Sequence, residues 1–123
     1  MGALYVSDPK YKVDMFIGIG GGPEGVIAAA ALDAYDCFFQ GRFIFDNEND
    51  IQDARAMGIK DLNYKYEISE IIKSDSLFCA TGITNNDVMK GIELKNNNYT
   101  SETLVTHKSS NFKKIIKSVN PVH

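Results

Sequence analysis

Three consecutive glycines, Gly20-Gly21-Gly22, run straight into Pro23-Glu24-Gly25. This hexapeptide separates an apolar stretch from an alanine-rich one, and it constrains the fold more than any other feature of the chain. Upstream, Val13-Asp14-Met15-Phe16-Ile17-Gly18-Ile19 is mostly continuous apolar, as a buried strand of a covered sheet would be. Downstream, Val26 to Tyr35 is mostly Ala, Ile, Leu and Val, which predicts a tightly packed helix whose small residues admit a sheet at close range. Pro23 suits a first helical position, where its missing N–H would have had no acceptor in any case. Strand, glycine turn and helix in that order predict an α/β fold.

The remaining chain extends this pattern. Cys37 to Phe45 reads as a strand bent at Gln40-Gly41-Arg42. The run Asp46-Asn47-Glu48-Asn49-Asp50 supplies a cap and an acidic first turn for a helix to about Met57, which Gly58 stops. Tyr64 to Ile68 is a short strand, and Ser69 is placed to cap a brief helix through Lys73. Ser76 to Ala80 is a further strand leading into the turn Thr81-Gly82-Ile83-Thr84. Two alternating segments, Tyr99 to His107 and Phe112 to Ile116, predict a closing β-hairpin turned at Lys108 to Asn111. Asn85-Asn86 and Asn96-Asn97-Asn98 are loop signals. With 123 residues and no internal repeat or linker, the chain is expected to form a single domain, 1–123.

Charge narrows the function classes. Sixteen acidic residues against thirteen basic ones give a net charge of -3, so no basic field exists to hold nucleic acid or an anionic membrane surface. The longest wholly apolar run, Val26 to Leu32, is too short to cross a bilayer, and no leader-like start is visible. The expectation is a cytoplasmic protein. Cys37 and Cys79 are far from any CxxC spacing and sit in apolar neighbourhoods, so both are expected to be buried thiols. His107 and His123 are too few for a zinc site, and His107, on a strand-like segment, is expected to be structural.

The chemistry concentrates at the glycine turn. A glycine run ahead of a helix lets backbone amides approach an anion, and the helix start adds its unpaired N–H groups and positive dipole end. Neither nucleotide signature is present: GxxxxGK[ST] is missing, and so is GxGxxG with an acidic ribose partner. A nucleotide-binding α/β domain is therefore only an alternative. Glu24 admits two readings. As a first-turn carboxylate it complements the helix dipole. Beside a phosphate cradle it would repel the anion unless Mg²⁺ or Mn²⁺ bridged carboxylate and phosphate oxygens.

The segment Phe16-Ile17-Gly18-Ile19-Gly20-Gly21-Gly22-Pro23-Glu24-Gly25-Val26 resembles the GGxPEGV segment of class II fructose-1,6-bisphosphatases, the GlpX family. The similarity continues through Ala28 to Leu32, Gln40-Gly41-Arg42, Ala54 to Ile59, Phe78 to Thr84 and Ser101-Glu102-Thr103-Leu104, in order, from about Gly2 to Lys114. The resemblance implies the layered α/β fold of the lithium-sensitive, metal-dependent sugar phosphatases. It also implies removal of the 1-phosphate of fructose 1,6-bisphosphate in gluconeogenesis, with Mn²⁺ or Mg²⁺, some members also accepting sedoheptulose bisphosphate. By the same resemblance Glu24 is a metal ligand and Gly21 contacts the sugar phosphate, while Arg42 is structural or at an interface.

Two departures bear on this. Gly22 stands where alanine or serine is usual, and no DPxxGT metal motif occurs, since Asp8-Pro9 is followed by Lys10-Tyr11-Lys12-Val13. Members of the family are more than twice this length, with that motif and most substrate contacts in their first half. The chain is thus expected to correspond to the C-terminal part, to lack bisphosphatase turnover alone, and to need a separate N-terminal half. Failing that, it would be a non-catalytic remnant or a self-associating module, a homo-oligomer.

Overall fold

A long antiparallel hairpin organises the molecule, described over residues 2–122 in a computed structural model. His123 lies outside the described residues. In chain order the elements are 3-10 turns at Gly2–Ser7 and Pro9–Tyr11, then α1 (Gly22–Asp33), β1 (Gln40–Gly41), α2 (Glu48–Ala56) and β2 (Tyr66–Glu67). There follow α3 (Ile68–Ile71), β3 (Leu77–Thr81), β4 (Glu93–Lys95), β5 (Asn98–His107) and β6 (Phe112–Pro121). Both helices and sheets are present, so the broad α/β class stands, although every strand pair is antiparallel.

β5 is the central strand. β6 pairs with it over its full length, from Asn98 opposite Pro121 to His107 opposite Phe112. The other edge of β5 is shared end to end by β3, with Leu77 opposite His107, and β4, with Lys95 opposite Asn98. Two of the asparagines read as loop signals explain the β4–β5 turn. Asn96 and Asn97 have φ of 50° and 59°, the two left-handed positions a tight type I′ hairpin turn requires, and asparagine tolerates them well.

Side chains alternate across this sheet, so one face carries Phe78, Leu104 and Thr106, all buried. Against them pack Leu4, Ala31, Leu32 and Met89. Ala29 and Ala31 of α1 are fully buried, so the alanines do bring the helix backbone close to its neighbours. The opposite face is open, and this corrects the expectation for the cysteines. Cys79 is exposed because it alternates with buried Phe78, while Cys37 is only partly buried. That partial burial pushes the Cys37 thiol pKa up.

α2 forms close to where its sequence signals lie. The Asn47 side chain accepts from the Asp50 N–H at 3.0 Å, capping the start. At the end, Gly58 takes φ 92° and its N–H donates to the Arg55 carbonyl at 3.0 Å. The Ile59 N–H reaches the Ala54 carbonyl at 2.9 Å, completing a Schellman closure.

Several expectations are corrected. Val13 to Ile19 is not a buried strand: it makes no ladder, and Ile17 and Ile19 are 84% and 88% exposed. A strand needs a neighbouring edge to satisfy its backbone, and among the described residues no strand lies beside this segment. The strands expected at Cys37 to Phe45 and Tyr64 to Ile68 shrink to the two-residue pair β1 and β2, fastened by Gln40 Nε2 donating to Glu67 Oε1 at 2.6 Å. Glu67, not Ser69, begins α3, because Glu67 and Glu70 form a reciprocal capping box, and the helix stops at Ile71. β6 continues past Ile116 to Pro121, and β4 is an element the sequence reading lacked. Among the described residues, no helix is long and apolar enough to cross a membrane.

Candidate functional site

At the glycine turn Gly21 is the N-cap of α1, with extended φ −66° and ψ 155°, and Gly22 begins the helix. The Gly25 N–H closes the first turn on the Gly21 carbonyl at 3.1 Å. Glycine has no side chain with which to cap, so the N–H groups of Gly22 and Glu24 have no side-chain acceptor from the N-cap, and Pro23 between them has no N–H to offer. Glu24 occupies the space this leaves. Its carboxylate curls back over Gly21 so closely that a β-carbon built there would collide with Glu24 Oε2. Gly21 and Glu24 are therefore brought together as one small unit, and the bare glycine is what allows the carboxylate to lie there.

The rest of the turn faces outward. β-Carbons built on Gly20, Gly22 and Gly25 would meet nothing within 4 Å. No close packing inside this chain demands glycine at those three positions. Flanking the turn, Met15, Phe16, Ile17, Ile19, Val26 and Ile27 are exposed large apolar side chains. α1 is apolar around most of its circumference yet covered only toward its C-terminal end, where Ala29, Ala31 and Leu32 are buried, while Val26 and Ile27 in its first half are exposed. A helix of that character normally has its entire surface covered.

Glu24 is a single donor. Among the described residues no group of three or more His, Cys, Asp or Glu side chains is placed to hold a metal ion. A hard divalent cation takes six or more oxygen ligands, several of them carboxylate or water. The residues present fit one contribution to such a centre and do not fit a complete one. Asp8 offers no second carboxylate, because it caps the Pro9–Tyr11 turn by accepting from the Lys10 N–H at 3.0 Å and pairs with Lys10 Nζ at 3.1 Å. These contacts hold its carboxyl below the usual aspartate range, the backbone hydrogen bond from Lys10 contributing most.

Arg42 is exposed and enters no ion pair among the described residues. Two hollows, of about 340 Å³ beside Tyr64 and Tyr66 and about 300 Å³ between Leu4, Tyr11 and Lys113, are lined by neither Gly21 nor Glu24. Gly20 to Glu24 are all exposed, so the turn lies on the open surface of this chain.

Residues 1–120 match the family model described as bacterial fructose-1,6-bisphosphatase, glpX-encoded. The chain is similar to a class 2 fructose-1,6-bisphosphatase of Haemophilus influenzae, at 40% identity over 99% of the chain and 40% of the relative. It is also similar to the Escherichia coli K12 protein named fructose-1,6-bisphosphatase 1 class 2, at 35% identity over 94% of the chain and 37% of the relative. A Synechococcus protein named D-fructose 1,6-bisphosphatase class 2/sedoheptulose 1,7-bisphosphatase is 33% identical over 90% of the chain and 35% of its own length. The chain spans about two fifths of the length of the curated relatives it matches, or a little less.

Proposed function

The chain belongs to the glpX-encoded family of bacterial fructose-1,6-bisphosphatases, and from that premise we propose that it contributes one wall of a metal-dependent sugar-bisphosphate phosphatase centre. In this reading Glu24 is one ligand of a Mn²⁺ or Mg²⁺ ion and Gly21 lies against the sugar phosphate. The observation that carries it is the pairing of the Glu24 carboxylate with side-chain-free Gly21 at the exposed start of α1. The first-turn N–H groups and dipole suit a phosphate, and the adjacent carboxylate suits a cation bound between the two. A bound divalent ion supplies charge neutralisation at the phosphoryl oxygens. What this chain's own residues do is narrower: they present one carboxylate, and they leave backbone donors open to an anion.

The remaining ligands and substrate contacts belong, on this proposal, to the three fifths of the family's length that these residues do not span. The fold of the completed enzyme would be the layered type of the lithium-sensitive sugar phosphatases, and its setting cytoplasmic gluconeogenesis. The exposed apolar residues beside the turn, Met15 to Ile19 with Val26 and Ile27, support a covering partner. They equally suit self-association, and that is the second reading: a non-catalytic module or remnant.

The test is phosphate release from fructose 1,6-bisphosphate with Mn²⁺, using this chain alone and co-expressed with the N-terminal part of a class 2 relative. The expected result is no turnover alone and turnover on co-expression, with the restored rate falling at least ~100-fold in Glu24→Gln. Turnover by the isolated chain would overturn the incomplete-centre reading, and a co-expressed pair indifferent to Glu24→Gln would remove Glu24 from it. A soluble pair without activity would favour the non-catalytic module.

A further inference from the structure

Far from the glycine turn in sequence, the β5–β6 turn gathers an aspartate, a histidine and two serines. His107 ends β5, Ser109 and Ser110 lie in the turn, and Asp75 precedes β3, whose Leu77 pairs with His107. His107 Nε2 is 2.8 Å from Asp75 Oδ2, and His107 Nδ1 is 2.7 Å from Ser110 Oγ. Ser109 Oγ donates to the same Asp75 oxygen at 2.7 Å and lies 3.2 Å from Nε2.

These distances determine the proton inventory. Hydrogen bonds from Ser109 and from His107 hold the Asp75 carboxyl below the usual aspartate range, so at neutral pH it is ionised and can only accept. Nε2 must therefore carry the ring hydrogen of the neutral imidazole, and Nδ1 is left with its lone pair facing the Ser110 hydroxyl. A carboxylate that fixes the tautomer, an imidazole and a serine in hydrogen-bonded series form the arrangement that activates a serine oxygen. The group is also accessible: Ser110 is exposed, and the His107 and Asp75 side chains are 29% and 51% exposed.

The surroundings leave this series undisturbed. Lys108, between His107 and the serines, is drawn to the end of α1, with Nζ 2.8 Å from Asp33 and 3.4 Å from Asp36. Opposite His107 on β6 is Phe112, under the Lys114 ammonium at 5.5 Å from its centroid. Opposite it on β3 is Leu77, with Cys79 one step further along the same face. Among the described residues, Asp75 is the one carboxylate bonded to the imidazole.

We propose that Ser110 is a base-activated nucleophile that captures acyl or phosphonyl groups from electrophilic esters and fluoridates, with His107 as proton acceptor and Asp75 orienting it. This site does not depend on the phosphatase reading. With a fluorophosphonate, the Ser110 proton passes to His107 Nδ1 as the Oγ–P bond forms, the P–F bond breaks and fluoride leaves. His107 then returns the proton to water. The reaction is stoichiometric, one group per chain.

The full chain is treated with an alkyl fluorophosphonate, and the adduct is located by peptide mass mapping. The expected result is one phosphonyl group on Ser110 and no adduct in Ser110→Ala. His107→Gln slows labelling by about 100-fold or more, the scale of a lost general base. Asp75→Asn also slows it, while Ser109→Ala still reacts at Ser110. Far-UV circular dichroism confirms that each variant is folded. Labelling of Ser110 no faster than that of exposed Ser74, or a rate unchanged in folded His107→Gln, overturns the proposal.

Discussion

Gly58 and Gly21 are both glycines at helix ends, and they are glycine for different reasons. Gly58 sits at φ 92°, where a β-carbon strains the backbone even though nothing crowds it. Gly58→Ala is expected to destabilise the fold by about 1–2 kcal/mol through that conformation alone. The check is the urea midpoint, which should fall with the slope of the transition unchanged. Gly21 is at an extended φ any residue adopts, and what lies over it is the movable end of the exposed Glu24 side chain. The sequence could announce Gly58 because a glycine after a periodic helical run has a known use. It could single out Gly21 and Glu24 only through their neighbours and the family resemblance. It could not show that the two touch, because a side-chain rotamer leaves no trace in residue order. His107 reads as structural in the sequence for a related reason: Ser110 is three residues away and visible, but Asp75 comes from another strand's approach and is found only once the sheet register is known.

Helix and strand boundaries show where local signals were sufficient. α2 has a capping asparagine at one end and a Schellman closure at the other, and both were readable because each uses residues within six positions of one another. Asn47→Ala removes the acceptor for the Asp50 N–H and is expected to cost about 1 kcal/mol. Thermal unfolding followed at the helix band would record it as a lowered midpoint. The β5–β6 hairpin was legible for the same reason, its two runs being joined by a four-residue turn closed by Asn111 N–H on the Lys108 carbonyl at 2.9 Å. Val13 to Ile19 was not, since apolar continuity reports that a segment wants covering and says nothing of what covers it. β4 escaped notice because three residues, Glu93, Leu94 and Lys95, are too short a run to show alternation. Its pairing is imposed by the Asn96-Asn97 turn that follows.

At the scale of the whole molecule, four carboxyls share one direction of shift. Asp75, Glu102, Glu70 and Asp8 each have a carboxyl held below its ordinary value, chiefly by hydrogen bonds from Ser109, from the Lys90 N–H, from Tyr64 and from the Lys10 N–H respectively. A carboxyl lowered by folding stabilises the native state above its unfolded pKa and loses that contribution as pH falls through the folded one. Lys108 is raised instead, chiefly by Asp33, so its contribution is complete below the ordinary lysine value of 10.5 and lost as pH climbs through the raised one. Stability is expected to be level through neutral pH, to decline below the ordinary carboxyl values of 4.5 and 3.8, and to decline again in strong alkali. Urea midpoints measured at intervals across pH would trace that profile; a midpoint rising on acidification would contradict it.

β6 meets β5 along one side, and among the described residues its other side carries no strand. Ten residues of open ladder would ordinarily invite a neighbouring molecule to dock there and propagate a fibril. Lys113, Lys114 and Lys117 along that strand, with Pro121 at its end, place repelling ammonium groups and a missing donor where a growing stack would need compliance. Neutralising Lys113 and Lys114, by acetylation for instance, is expected to remove that repulsion and turn a guarded border into a template, Lys117 already being paired with Glu102 at 3.4 Å.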